Sequence, residues 1–594
     1  MKKSLKAKIV LIGCILFFML FYMKVFGSKN AVIGIMIAMV AFMNLGNDLT
    51  YKPKLSFFKI LSLLLILGIV AYLNAPITIF GCILTFIVVF GTTMTSYHLF
   101  GTNVYVPFLM IYFMMMCNPV SFEDLPMMLL SLFVGAIFIV GLNFLVNRNK
   151  SYKLSKQTID FLISELDNAI DLKLAGKEVS IENFGISNSF YTALLSQFEF
   201  KLFPSPNQES VLNIIKSFQY IGFVISNQDL LDDELIFIRK ILDNIKDIKS
   251  RDIFEDFDVA TKEMSIVLLN LEYIIDEINN TDFNKERILP DKRYLKTLIK
   301  RIIKRNFSFR SVKFTFAFKM AFLLTLWEVL TLIFNLPFTK WLYFATIPLM
   351  LPYINDIGRT AKARLKGTFV GVFIFTLIFI MVPYLPISPN TLMLIMLVVC
   401  MIGMVYTLEN KFILTIFTTI MSVMASLIYI APNMAVELKL LWVCVAAIVS
   451  IVFNYLFLPY SVEKETKNNL NLRHKLNGES IDLIKETCHN NVSSKKTYLL
   501  VLSNVLGDNV EVTNENKALF ELQRKISDIS NFILTYMDKY ELSEDFKKNL
   551  VDIIDNGAEV NNNLSNKDKI ILYSTDYVIG LYKKENKLVQ EGLI

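Results

Sequence analysis

Two long apolar blocks, residues 9–146 and 312–458, constrain this chain more than any other feature in it. Each breaks into runs approaching the length of about 20 residues that crosses a hydrocarbon layer roughly 30 Å thick. The stretches between and after them, 147–311 and 459–594, are charged. Soluble domains are about 45–50% apolar. This chain is 54% hydrophobic, and the excess is confined to the two blocks. The sequence therefore predicts an integral membrane protein with two water-facing segments.

Turn residues subdivide the blocks. In the first, Gly27-Ser28, Asn47-Asp48, Asn74-Ala75-Pro76, Gly101-Thr102-Asn103 and Asn118-Pro119 separate six apolar segments near 9–26, 31–47, 57–74, 77–97, 103–118 and 127–146. The second block also divides into six, near 312–335, 340–355, 367–383, 391–407, 411–430 and 437–458. The Lys-rich start and ILFFMLFYM resemble a secretory signal. Phe26-Gly27-Ser28 is a poor cleavage site, so the stretch reads as a retained first helix. Cytoplasmic loops are rich in Lys and Arg. Lys52, Lys54 and Lys59 after the second segment, with Arg148 and Lys150 after the sixth, place both termini in the cytoplasm. Lys24 and Lys29 fall on the other side, where long cationic side chains snorkel to the interface.

The net charge of +7 follows this membrane-edge pattern and is no nucleic-acid footprint. Five of the six cysteines lie inside apolar segments and none forms a CxxC, so neither a disulfide framework nor a metal site is expected. With three histidines, no nucleophile–base set and no phosphate loop (Gly176-Lys177 lacks the preceding glycine), the chain does not read as an enzyme, and no cofactor is called for.

The charged segments carry helical periodicity, as in TIDFLISELDNAIDLKLA and ELQRKISDISNFILTYMDKY. The halves also resemble each other. A shift of 308 lays Asn47-Asp48 over Asn355-Asp356 and Lys54 over Lys362; a shift of 311 lays Asn143 over Asn454. The expected fold is an all-α integral membrane protein: two parallel six-helix transmembrane repeats, each followed by a cytoplasmic helical domain. The boundaries fall at 1–150, 151–305, 306–460 and 461–594.

The stretch WLYFATIPLMLPYINDIGRTAKARLKGTFVG, residues 341–371, reads as two membrane helices joined by a cytoplasmic loop that bears Arg359, Lys362, Arg364 and Lys366. Its residues Trp341, Asp356, Arg359, Arg364, Gly367-Thr368 and Gly371 resemble the signature turn of the fusaric-acid-resistance/aromatic acid exporter family, and the order of spans and soluble segments is similar too. The first half departs from the pattern, with Lys59-Ile60 in place of Gly367-Thr368. The resemblance implies a multi-pass bacterial inner-membrane exporter of small, often aromatic, carboxylic acids, coupled to protons. The partners it admits are the bilayer, a small organic anion, a membrane-fusion protein and a second copy of the chain.

Each candidate residue has a plainer alternative. Arg359 and Arg364 suit an anion vestibule, whereas Lys362 and Lys366 also fit simple orientation. Asp356 takes a proton or caps a helix. Gly367, Thr368 and Gly371 open a helix toward a carboxylate, or pack it closely against a neighbour. Pro348 and Pro352 break a helix along the substrate path or merely kink it, beside Trp341. Glu328 is the proton-coupling candidate, with an interface position reaching water as the alternative. His98 suits a proton shuttle or, more simply, a solvated turn. At the level of function, an anion channel and a membrane scaffold without transport activity stand beside the exporter.

Overall fold

The computed structural model describes residues 33–47, 49–50, 53–75, 77–97, 104–148, 150–179, 206–227, 230–245, 262–280, 307–336, 339–381, 389–407, 410–426, 431–488, 515–539, 542–561 and 563–591, with isolated positions among 13–27 and at 300, 384, 499 and 513. Asp48, His98 and Lys29 lie outside these residues. Every regular element among them is helical. In chain order the helices are α1 (Ile33–Gly46), α2 (Pro53–Leu73), α3 (Ile79–Ser96), α4 (Tyr105–Cys117), α5 (Leu125–Asn147), α6 (Lys150–Leu174), α7 (Pro206–Asn227), α8 (Asp232–Asp243) and α9 (Lys262–Asn280). There follow α10 (Val312–Phe334), α11 (Lys340–Thr346), α12 (Ile357–Met381), α13 (Pro389–Tyr406), α14 (Lys411–Ser426) and α15 (Pro432–Leu456). The last four are α16 (Val462–Thr487), α17 (Lys517–Lys539), α18 (Glu544–Asn556) and α19 (Asn566–Gln590).

The chain forms two compact units. One holds residues 1–98, 102–148 and 302–462; the other holds 99–101, 149–301 and 463–594. In the first unit, α2, α3, α5, α10, α15 and the segment Ile354–Met381 are long and apolar enough to cross a membrane. α1, α4 and part of α14 are shorter apolar helices. In the first half α2 packs on α4 and α5, and in the second α12 packs on α14 and α15. The halves meet along α10 and α3, through a ladder of rings in which Phe86 meets Phe318 and Phe90 meets Phe314 edge-on at 5.6 and 5.5 Å.

The stretch 340–371 differs from its sequence reading. α11 lasts only from Lys340 to Thr346. Pro348 has no N–H to continue the ladder, Leu349 and Met350 turn back on the Thr346 carbonyl, and Tyr353 is extended. The backbone N–H of Ile354 donates to the Tyr460 carbonyl (3.1 Å), and the Tyr460 hydroxyl donates to the Arg310 carbonyl (2.8 Å) just before α10. Residues 339–354 thus return along α10, which is roughly 34 Å long, mostly without a helix. Irregular backbone at membrane depth is tolerated where protein or a cavity surrounds it, and Ile347–Met350 are buried.

α12 begins at Ile357, so the four cations occupy its first turns and no loop carries them. Lys, Arg, Ala and Leu are good helix formers. Hydropathy marks where a helix becomes apolar, which is later than where it begins. Gly367 therefore lies about three turns inside a helix, and the expected anion-binding helix start at Gly367-Thr368 does not exist.

The second unit brings the middle and C-terminal charged segments around one core, in which Ile215, Phe218 and Leu268 join Ile529, Ile533 and Leu572. α17 packs on α7, and α9 packs on α19. Ser543 and Ser565 cap α18 and α19 by accepting from the backbone N–H groups of Phe546 and Asp568.

Candidate functional site

Ionisable groups buried in a membrane-spanning unit are costly and usually functional. The first unit contains several, and each is held by identifiable local chemistry.

Glu328 on α10 is fully buried, so it does not sit at an interface reaching water. Its Oε1 accepts from the amide of Asn74, which ends α2 at the Asn74-Ala75-Pro76 break. The same Nδ2 lies 2.8 Å from Thr85 Oγ1 on α3 and 3.4 Å from the Tyr112 hydroxyl on α4. Thr85 and Tyr112 share a hydrogen bond of 2.6 Å. The turn is built for this contact: Thr78 caps α3 by accepting from Gly81 N, and Gly81 lies so close that a Cβ there would come within 1.6 Å of Asn74 Oδ1. The Asn74 carbonyl oxygen and Glu328 Oε2 are buried without hydrogen-bond partners. The acid comes from the second half, and the hydrogen-bonding groups around it, Asn74, Thr85 and Tyr112, come from the first.

Lys319 lies nine residues earlier on α10, roughly 13 Å along the axis. It is 1% exposed, and its Nζ has no hydrogen-bond partner. On α15, Lys439 is also buried, with its Nζ 4.2 Å from the centroid of the Trp341 ring, a cation–π contact. Arg364 on α12 is half-buried and lies within electrostatic reach of Lys439 and of Tyr105 on α4. Tyr105 meets Phe316 on α10 at 5.3 Å. By helix geometry, Lys319 and Phe316 are three positions apart and share a face.

The two groups of residues are linked through α11. Tyr343 stacks on Phe113 of α4 at 4.3 Å, and the Trp327 indole donates to the Thr346 hydroxyl (3.1 Å). α11 thus contributes to both groups in a column of residues, with Trp341 against Lys439 and Tyr343 within electrostatic reach of Glu328.

Several expected site residues stand apart from this column. Asp356 and Arg359 are exposed at the start of α12, as are Lys362 and Lys366. Pro348 is buried at the α11 break, and Pro352 is half-buried beyond it. Gly367 and Gly371 serve packing. A Cβ at Gly367 would lie 2.7 Å from the Phe412 carbonyl, and one at Gly371 2.9 Å from Thr419 Cβ, both on α14. Thr368 is buried beside them. Of the signature residues, Trp341 carries Lys439 over its ring, and Arg364 lies within electrostatic reach of the same lysine.

Sequence reasoning missed Lys439, Asn74, Thr85 and Tyr112. Lys439 was legible: it is a lone buried cation in the apolar run LKLLWVCVAAIVS, the same signal that Lys319 gives. Asn74 looked like a turn residue because its other role needs the partner helix. Asn143 shows the converse, since its repeat match points to a structural role. Its amide donates to the Asn44 and Asn47 carbonyls (2.6 and 2.9 Å), and its Oδ1 accepts from Leu49 N (3.1 Å). Asn454 donates to the Ser450 carbonyl (2.8 Å) and reaches Met350 Sδ (3.2 Å). Among the described residues no group of three or more His, Cys, Asp and Glu is placed to hold a metal.

The first unit is thus a multi-pass helical membrane unit in which buried cations and a buried acid lie beside a broken crossing. Residues 323–453 match the fusaric acid resistance protein-like family, a span that contains Glu328, Trp341, Arg364 and Lys439 and agrees with the resemblance carried by the signature residues. Comparison with curated proteins and with solved structures gave no match.

Proposed function

We propose that this chain exports small organic, aromatic carboxylic acids across a bacterial inner membrane, coupled to protons through Glu328. The observation that carries this reading is the buried positive charge. Lys319 has no partner, and Lys439 rests on a ring and not on a carboxylate. A lone cation in a membrane interior costs about 2.5–3.5 kcal/mol on insertion scales, an unfavourable arrangement that a passing carboxylate would relieve. Arg364 would draw the anion toward Lys319 and Lys439, and Tyr105, Phe316 and Trp341 supply flat surfaces for a ring. Glu328, tied to the first half by Asn74, is the group whose protonation would alter the contact between the halves. The positive-inside pattern supports cytoplasmic termini, and the matching helix pairings and the two buried asparagines support a parallel repeat.

Reconstitution tests this. Purified protein in proteoliposomes should accumulate 4-hydroxybenzoate against its gradient under an imposed ΔpH, and Glu328→Gln should abolish accumulation while leaving anion exchange. Passive anion current without proton movement would replace the carrier with a channel. No flux across a panel of organic acids would replace it with a scaffold.

A further inference from the structure

Arg364 and Lys439 place two cations at one locus of the membrane unit. α15 packs on both α11 and α12. This brings the Lys439 ammonium over the Trp341 ring at 4.2 Å and within electrostatic reach of the Arg364 guanidinium. Lys439 is buried, and Arg364 is half-buried about two turns inside α12. A buried cation is ordinarily paired with a carboxylate, because desolvation is costly and a second cation nearby adds repulsion. Among the described residues no carboxylate acts on either of these cations. Glu437 is exposed two positions before Lys439, and residues two apart on a helix do not face each other. Asp356 is exposed just ahead of α12, and the buried acid Glu328 acts on Tyr112 and Tyr343.

We propose that the preferred substrate of this locus is an aromatic dianion, such as a benzene dicarboxylate, and not a monocarboxylate. The inference rests on the transport reading and sharpens its substrate class. Each of two neighbouring cations disfavours the charge on the other, and a nearby anion favours it. A single carboxylate offsets one of them and leaves the second beside it unpaired. Two carboxylates on one ring offset both. The guanidinium takes a carboxylate through two parallel N–H donors, and the ammonium takes the other as a point charge. The ring has a partner too. Lys439 now covers the Trp341 indole, and a carboxylate that draws the ammonium away would uncover that face for stacking with the substrate ring. Neutral donors would sort anions by shape, whereas a pair of cations without a carboxylate sorts them by charge.

Isothermal titration calorimetry on the full-length protein in detergent tests this, at neutral pH and constant ionic strength. Isophthalate and benzoate share a ring and differ by one carboxylate. Isophthalate is expected to bind about tenfold tighter or more, the effect of one added hydrogen-bonded contact between charged groups. Arg364→Gln should erase that difference, and Arg364→Lys should keep most of it. The melting temperature of each variant reports whether it is folded. If Arg364→Gln is not, Lys439→Met carries the test with the same expectation. Equal affinity for the two anions in the wild type overturns the proposal, as does binding of neither, or an undiminished preference in the folded variants. Flux into proteoliposomes under an imposed ΔpH separates this inference from the reading beneath it. Preferential binding of isophthalate without accumulation of either anion counts against the transport reading alone. Accumulation of both anions at equal affinity counts against the dianion alone.

Discussion

Two buried lysines separate the units of this protein. In the second unit, Lys216 lies 3.0 Å from Asp528. In the membrane unit, Lys319 is more deeply buried and its Nζ has no hydrogen-bond partner. A charge taken out of water is ordinarily paired, because desolvation outweighs what an isolated ion regains. The second unit follows that rule and the membrane unit does not. The contrast teaches that burial alone is not the functional signal; burial without a counter-charge is.

Removing each charge should therefore have opposite consequences. Lys319→Met breaks no ion pair, so it should leave the protein at least as thermally stable as the parent while lowering organic-anion flux by 100-fold or more. A loss of stability would mean that Lys319 has a structural partner, and the contrast would collapse. Asp528→Ala leaves Lys216 buried without its carboxylate, and should destabilise the second unit by about 3–5 kcal/mol. Chemical denaturation followed by exchange in α7 and α17 measures this; a neutral result would show that Lys216 reaches water.

A glycine substitution probes the acid locus. Gly81→Ala places a methyl group against Asn74 Oδ1, so Asn74 must leave Glu328. An overpacked contact costs typically about 1–3 kcal/mol. The expected result is a lowered melting temperature with weakened proton coupling, read as a smaller anion accumulation at the same ΔpH. Gly91 has open space around it, and Gly91→Ala should change neither quantity.

The smallest effect concerns pH. The folded-state pKa of Lys216 lies below its ordinary value of 10.5, so the unfolded chain binds more protons between those two values. Stability should rise with pH across that window. The difference between wild type and Lys216→Met isolates this contribution. A difference curve that falls with rising pH would show that Asp528 outweighs burial and that the lysine is fully paired.

Neither the length of α11 nor the start of α12 was legible in the sequence, although two prolines marked the break between them. Pro348 and Pro352 interrupt the crossing as their chemistry requires. Yet Arg359, Lys362, Arg364 and Lys366 looked like a loop because charge was read as absence of helix. Helix propensity and membrane depth are separate properties, and hydropathy reports only the second. For the glycines, two readings were open at Gly367 and Gly371, and the nearness of Phe412 and Thr419 on α14 decides for packing.

By itself the sequence determined that this is a helical membrane protein with two apolar blocks, roughly where the spans lie, and which family its second block resembles. Those properties depend on apolar run length, turn residues and a local signature, all of which are contiguous along the chain. Tertiary structure alone decided that Asn74, Thr85 and Tyr112 surround Glu328 from the other half, and that Lys439 lies over Trp341. It also decided that two charged segments separated by a whole membrane block share one core. Each of these is a contact between residues far apart in sequence, and side-chain chemistry takes its meaning from the group it faces.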